Sequence, residues 1–298
     1  VDDMPLFCGT SLARRIESAE AHLILAATEA ARRRGAKGLA IPVAGGFACF
    51  AESASPMNKV VGLGFDGVPD GAAWDEMERA MFACGVAVQV ELSNLADPDV
   101  AALLADRGYR LVGFENVLGH GLRLNAEPAA PHGIEVRATN DIDAWVDVVV
   151  EGFAHPDSAD SANEGVPSHE EFPRDVIDRA ERDFEQAGAI AYVAMCDGVI
   201  AGGGSVRLTD GIAQLTGAAT APAFRRRGVQ TALLAARLWK AAQAGCDIAV
   251  VATAPGSTSQ KNVQNNGFQL LYTRAVMVKA PPPALPREHK RPPPKREP

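Results

Sequence analysis

Residues 212–244 constrain the fold of this chain more than any other stretch. An apolar run over 212–220 ends at Ala221-Pro222, where proline has no N–H to give to a sheet. Arg225, Arg226, Arg227 and Gly228 follow, and then Leu233, Leu234, Leu238 and Ala241 or Ala242 recur at helical spacing. A strand therefore turns into a helix through three arginines and a glycine. A helix start carries unpaired N–H groups and the positive end of the helix dipole, and both attract anions. Guanidinium groups add fixed charge and planar donors suited to phosphate oxygens. The pattern predicts a diphosphate cradle without the lysine of a P-loop, set against the plainer reading of a basic, solvated helix start.

Length and composition bound the rest. The 298 residues suggest two domains of ordinary size, and 47% of them are hydrophobic, enough for substantial cores. A net charge of −8 argues against sequence-independent nucleic-acid binding, which needs a basic surface. Cys8, Cys49, Cys84, Cys196 and Cys246 are scattered, with no Cys-x-x-Cys and no histidine pair at metal-ligand spacing. They read as buried thiols of a reducing cytoplasm, and no metal site is expected. No apolar run approaches the roughly 20 residues of a membrane span.

Turn signals divide the chain. Residues 125–133 hold two prolines and a glycine without periodicity and read as a linker. Residues 281–298 form a proline-rich basic tail, expected as polyproline II or disorder. Between them, strands are expected at 134–137, 189–195, 199–208, 212–220 and 247–253, with one or two more over 268–278. Asp197-Gly198 and Asp210-Gly211 supply hairpin turns. Helices are expected from Asp141 to about 153, from a capping box at Ser168-x-x-Glu171 to about 187, over 229–244, and over 257–266.

The spacing Arg225-x-x-Gly228-x-Gln230 resembles the pyrophosphate-binding signature of the GNAT acetyltransferase superfamily, with Gln230 where glycine or alanine is usual. The segment Ser257-x-Ser259-Gln-Lys-Asn262, followed by Asn266-Gly267-Phe268, resembles the last characteristic helix of that family. The order βααβββαβαββ is similar too, and the resemblance covers roughly residues 132–280. It implies acetyl-CoA as co-substrate, bound by Ala219, Thr220, Ala221, Arg225, Arg226, Arg227, Gly228, Val229, Gln230, Thr231, Ser259 and Asn262. It implies an α/β (α+β) fold whose sheet is mixed, mostly antiparallel and twisted, flanked by helices.

The first half echoes the second. Cys84-Gly85-Val-Ala-Val-Gln-Val90 aligns with Ala244-Gly245-Cys-Asp-Ile-Ala-Val250 at an offset of 160, and Gly108-Tyr109 aligns with Gly267-Phe268 at 159. This resembles a tandem GNAT arrangement of the kind seen in mycothiol synthase-like proteins. The expected division is a degenerate GNAT-like domain at 1–126, a linker at 127–133, an acetyltransferase domain at 134–280 and the tail. Phe65, Gly67 and Val68 stand where the second copy has Arg225, Arg227 and Gly228, so the first copy is expected to have lost coenzyme binding. A rival dinucleotide fingerprint, Gly62-x-Gly64-x-x-Gly67 with Glu91 further on, is weakened by Val68-Pro-Asp-Gly71 before the next helix and by Asp66 inside the turn. Gly202-Gly-Gly204 reads as close packing or a bulge.

Proton transfer is poorly marked. The family's frequent glutamate base falls on Gln214 and its frequent tyrosine acid on Val263. Tyr272 is the expected catalytic substitute, with Tyr192, Glu151, His155, Asp157 and His169 behind it. Asp157, Asp160, Glu164, Glu170 and Glu171 give the 154–171 loop a field that suits a cationic acceptor, set against the plainer reading of a solvated acidic loop. The expected function is a cytoplasmic N-acetyltransferase acting on a small-molecule or peptide amine, with no nucleic acid or membrane partner and a homodimer left open. The alternatives are a non-catalytic acyl-CoA sensor and, behind it, an NAD(P)-dependent oxidoreductase.

Overall fold

The computed structural model describes residues 5–124, 131–155 and 172–282. The Ser168 capping box, His169, the acidic residues Asp157, Asp160, Glu164, Glu170 and Glu171, most of the expected linker and nearly all of the tail lie outside the described residues. The first half runs α1 (Thr10–Arg33), β1 (Leu39–Val43), β2 (Gly46–Phe50), β3 (Lys59–Val61), α2 (Gly71–Ala83), β4 (Val88–Ser93), α3 (Pro98–Asp106) and β5 (Arg110–Gly121). The second runs β6 (Ile134–Ala138), α4 (Ile142–Ala154), α5 (Arg174–Gln186), β7 (Ala189–Cys196), β8 (Val199–Thr209), β9 (Ile212–Thr220), α6 (Val229–Gln243), β10 (Ile248–Thr253), α7 (Thr258–Asn265) and β11 (Gln269–Lys279).

Local chemistry places these elements. The β7–β8 and β8–β9 turns put Asp197 and Gly198, and Asp210 and Gly211, at positive φ, which suits the mirror-image turns matched to strand twist. Asp141 caps α4 by accepting from the Ala144 N–H at 3.1 Å. α6 runs into Gly245 and α7 into Gly267, both left-handed.

The eleven strands of the described residues join one mixed sheet in the order β1-β2-β3-β4-β11-β5-β10-β9-β8-β7-β6. Among them, only β3 with β4 and β9 with β10 pair in parallel. The centre of the sheet is an exchange. β5, the last strand of the first half, lies between β10 and β11, both from the second half. β11, the last strand of the second half, lies between β4 and β5, both from the first. The stretch expected as one or two strands is a single one, and β5 fills the place of the missing partner. The β5–β11 ladder is close to symmetric. Arg274 faces Glu115, 159 residues earlier, and the register shifts fall at Leu271 and, also 159 residues earlier, at Val112.

Helices cover the sheet on both faces. Trp74, Met77 and Met81 of α2 and Leu104 of α3 pack on Val60 and Val90. Leu233 and Leu234 of α6 pack on Ala213 and Leu215, and Trp145, Val146 and Val149 of α4 pack on Val193 and Ala219. α1 belongs to neither half alone: Ile24 and Ala27 meet Phe184 of α5, while Ile16 meets Ile212, Ile248 and Tyr272. It also carries Glu17 into a buried ion-pair network at the centre. Arg274 lies 2.8 Å from both Glu17 and Glu115, and Lys59 lies 3.0 Å from Glu91. Burial pushes the Glu17 carboxyl up against the pull of Arg274. Cys49, Cys196 and Cys246 are buried, Cys8 and Cys84 half-buried, and no disulfide joins any of them.

Candidate active site

The arginine turn sits where two neighbouring strands part. β9 and β10 pair only at Ile212–Ile248, Ala213–Ala249 and Gln214–Val250. β8 follows β9 on the other side as far as Thr220, and β10 follows β5 as far as Thr253. The second halves of β9 and β10 therefore diverge, and their facing edges have no sheet partner in each other. Thr253, at the far end of β10, has a buried hydroxyl with no hydrogen-bond partner among the described residues.

α6 begins at the mouth of this opening. Gly228 is its N-cap at φ 86°, in the left-handed region, and no side chain among the described residues caps the helix. The N–H groups of Val229, Gln230 and Thr231 thus open the helix with no acceptor inside it. Gln230 Nε2 donates to Thr220 Oγ1 at 2.9 Å, tying the helix start to the end of β9. That bond explains a glutamine where a smaller residue is usual. Ala219 is buried against α4, and the approach is close: a Cβ on Gly152 would lie 2.6 Å from that of Ala219.

The three arginines differ in what they do. Arg226 and Arg227 are exposed, and the Arg227 guanidinium lies 5.4 Å above the Phe224 ring. Arg226 takes a positive φ of 62°, turning the backbone toward the helix. Arg225 instead donates to the carbonyls of Gly152, at 3.2 Å, and His155 at the end of α4. It acts as a cation on a helix C-terminus. Ser259 and Asn262 lie on the exposed side of α7. Ser257 caps that helix by accepting from Gln260 N–H at 3.1 Å.

Tyr272 is not brought to this opening. It is 3% exposed, in the cluster formed with α1, and its hydroxyl donates to Glu17 Oε1 at 2.6 Å. Burial and the Glu17 charge hold its pKa well above the usual tyrosine range. Gln214 is also spoken for: its Oε1 accepts from Arg207 at 3.1 Å and its Nε2 donates to Glu20 of α1 at 3.3 Å. Tyr192 faces α6, and burial raises its pKa. His155 and Glu151 are exposed and half-buried partners of each other at 3.4 Å.

One group went unmarked in the sequence. Glu181 of α5 is 2% exposed, and its Oε2 has no hydrogen-bond partner among the described residues. Burial alone raises its pKa to about 7. It points at Gly217, just where β9 parts from β10; a Cβ there would lie 2.7 Å from Glu181 Oε2.

Gly62 and Gly64 of the first half are accounted for by packing. A Cβ on Gly62 would meet that of Ala21 at 2.9 Å, and one on Gly64 would meet that of Ala96 at 2.6 Å. Asp70 fills the start of α2 by accepting from Ala72 and Ala73 N–H, and Asp66 pairs with Arg14. That removes the open helix start a dinucleotide needs. Among the described residues there is no group of three or more His, Cys, Asp or Glu able to hold a metal, and no helix long and apolar enough to cross a membrane.

Residues 157–268 match the model of the acetyltransferase (GNAT) family. No protein of curated function matches the sequence. Among solved structures, a GCN5-related N-acetyltransferase from Kribbella flavida is similar over 90% of this chain and 95% of its own, at 17% identity and a TM-score of 0.61. A tandem GNAT protein from the clavulanic acid biosynthesis pathway is similar over 80% of this chain and 79% of its own, at 17% identity and a TM-score of 0.57. At such identities the likeness is one of fold, and it spans both halves. Residues 157–268 thus resemble the GNAT family by sequence, within a fold whose structural neighbours include a tandem GNAT protein.

Proposed function

We propose that this protein is an N-acetyltransferase that moves an acetyl group from acetyl-CoA to an amine. The observation that carries the reading is the parting of β9 and β10 beyond Gln214, with the uncapped start of α6 at its mouth. The open N–H groups of Val229, Gln230 and Thr231, with Arg226 and Arg227 beside them, suit a diphosphate. The unpaired edge over residues 216–220 offers backbone groups to an extended acyl arm and to the thioester carbonyl, where fixed donors favour the developing oxyanion. In the transfer, the amine nitrogen bonds the carbonyl carbon, the carbon–sulfur bond breaks, and the thiolate leaves with a proton. The first half contributes α1, β5 and the seam beneath the opening.

A second reading, a non-catalytic acyl-CoA sensor, is favoured by one observation: the Tyr272 hydroxyl and the Gln214 amide are both committed to α1. One experiment tests both. The full chain is titrated with coenzyme A and with NADP by calorimetry, then incubated with acetyl-CoA and a panel of aliphatic amines, amino sugars and peptides while thiol release is followed. Coenzyme A binding with thiol release supports the enzyme. Binding without release from any amine supports the sensor. NADP binding in the absence of coenzyme A binding overturns both.

A further inference from the structure

The two edges of the sheet are built differently. β1 closes one end and β6 the other. β1 carries Pro42, exposed, near its middle. Proline suits an edge and blunts it against a further strand. β6 holds neither proline nor lysine. Among the described residues its one ladder partner is β7, from Ile134–Cys196 to Ala138–Tyr192 without a register shift.

The direction of each backbone group on β6 follows from that ladder. The Thr139 N–H donates to Ala191 O at 2.9 Å, while the Ile134 N–H turns away to Pro131 O at 3.0 Å. Antiparallel strands alternate residues that bond across the ladder with residues that face outward. Glu135, Arg137 and Thr139 thus bond toward β7. Val136 and Ala138 present their N–H and C=O groups to the outside, beside the Ile134 carbonyl. An open row of this kind is a template for another strand.

The side chains select which strand. Ile134 and Val136 pack into the core with α6. Glu135 and Arg137 point to the opposite face and are exposed. Neither takes part in an ion pair or a side-chain hydrogen bond among the described residues. With Met195 and Asp197 they line a groove of about 380 Å³. A second β6, laid antiparallel about a two-fold axis at Val136, sets Glu135 of each copy opposite Arg137 of the other. Such facing positions bring Cα atoms to about 4.5 Å, within reach of opposite charges. Val136 then exchanges hydrogen bonds with its own copy, and each Ala138 N–H meets the other copy's Ile134 carbonyl. Other registers are penalised. An axis at Glu135 or at Arg137 puts like charges face to face, and a slip of one residue turns the apolar face of one copy onto the charged face of the other.

We propose that this protein forms a two-fold homodimer by pairing β6 with β6, so that the sheet runs on through both copies. The pairing stands whether or not the chain is an acetyltransferase. It lies against the arginine turn: a Cβ on Gly228 would lie 3.5 Å from Pro131 Cγ and 3.9 Å from Ile134 Cδ1. The dimer therefore fixes the strand that backs the N-cap of α6.

Sedimentation equilibrium of the full chain over a range of concentrations tests this, beside Glu135→Arg, Arg137→Glu and the double variant. The parent should reach twice its 31.3 kDa. Each single variant sets like charges opposite one another on both sides of the axis. Each should raise the dimer dissociation constant by about tenfold or more, with circular dichroism unchanged. The double variant reverses both pairs and should restore the dimer. Mixed in equal amounts, the two single variants should associate with each other, since one strand brings two arginines and the other two glutamates. That mixture keeps the test sound if the double variant does not fold. A parent that stays monomeric up to its solubility limit overturns the proposal. So does a dimer that both single variants leave intact, because it must use another face.

Amide exchange supplies a second readout. The Val136 and Ala138 N–H groups should be protected in the dimeric parent and exchange faster in Glu135→Arg. Equal protection in the parent and in a monomeric Glu135→Arg would mean that a segment of the same chain covers the edge, and the proposal is then overturned.

Discussion

At the scale of single residues, Arg225 and Glu181 make opposite cases. Arg225 is one of three arginines in the turn, yet it holds the end of α4 through Gly152 and His155 carbonyls. Arg225→Ala should lower Tm by several degrees and weaken coenzyme A only as far as the turn loosens. Arg226→Ala and Arg227→Ala should leave Tm within a degree or two and weaken coenzyme A about tenfold each, the scale of a charge-assisted hydrogen bond. Calorimetry and thermal melts on the three variants check this, and equal behaviour from all three would contradict it. Glu181 makes stability depend on pH. Its folded pKa, about 7, lies above the unfolded value of 4.5. Below 4.5 both states hold the proton and the group has no effect. As pH rises from 4.5 to 7 the unfolded chain ionises first, so stability falls, and above 7 the loss is complete. Glu181→Gln should remove that slope and be more stable than the parent at pH 8 but not at pH 4, in urea melts at the two pH values.

At the scale of elements, α1 does more than cover the sheet. Its Glu17 takes both the Tyr272 hydroxyl and the Arg274 guanidinium, each buried. Tyr272→Phe should therefore cost about 1.5–3 kcal/mol of stability, the scale of a hydrogen bond to a charged group. It should change turnover less than fivefold. Glu17→Ala strips a buried cation of one of its two close partners and should cost more, about 3–5 kcal/mol. Urea melts and turnover assays on the pair check both. Much of the second half was legible at this scale. Asp197-Gly198 and Asp210-Gly211 mark hairpins wherever they occur, and the arginine turn announces both the strand before it and the helix after it. Glu181 was not legible. It lies among Arg179, Arg182, Asp178 and Asp183 on α5, a pattern that reads as a solvated helix face. Its burial follows from Gly217 lacking a side chain on a strand far away in sequence. Tyr272 was legible as a strand residue, but its partner is 255 residues away on α1, and no local spacing reveals such a contact.

At the scale of the whole molecule, the echo at offsets of 159 and 160 reappears as a near-symmetric pair of central strands, and the sequence shows where the copies are without showing that they interlace. Residues 268–278 read as strand from the sequence; which neighbours they take depends on long-range register. A fragment of residues 131–282 would leave β10 without β5 and β11 without either neighbour. Expressed alone, it should be aggregated or unfolded by circular dichroism, while co-expression with residues 5–124 should restore a soluble complex that binds coenzyme A. A well-folded, coenzyme-binding 131–282 fragment would show that the seam is dispensable.

That seam also changes what it means for the first half to hold Phe65, Gly67 and Val68 where the second half has Arg225, Arg227 and Gly228. A duplicated module that has stopped binding its ligand is ordinarily free to erode or be deleted. Here each half lends its last strand to the other, so the first half closes the sheet on which the proposed site is built. Selection on the second half alone is then enough to keep β5 and its register, while leaving the Gly62–Gly67 turn free to drift. Change in the first half should accordingly be uneven along the chain: slow in β5 and in the inward face of α1, fast around Asp66, with the boundary following contacts to the partner half rather than any old ligand site.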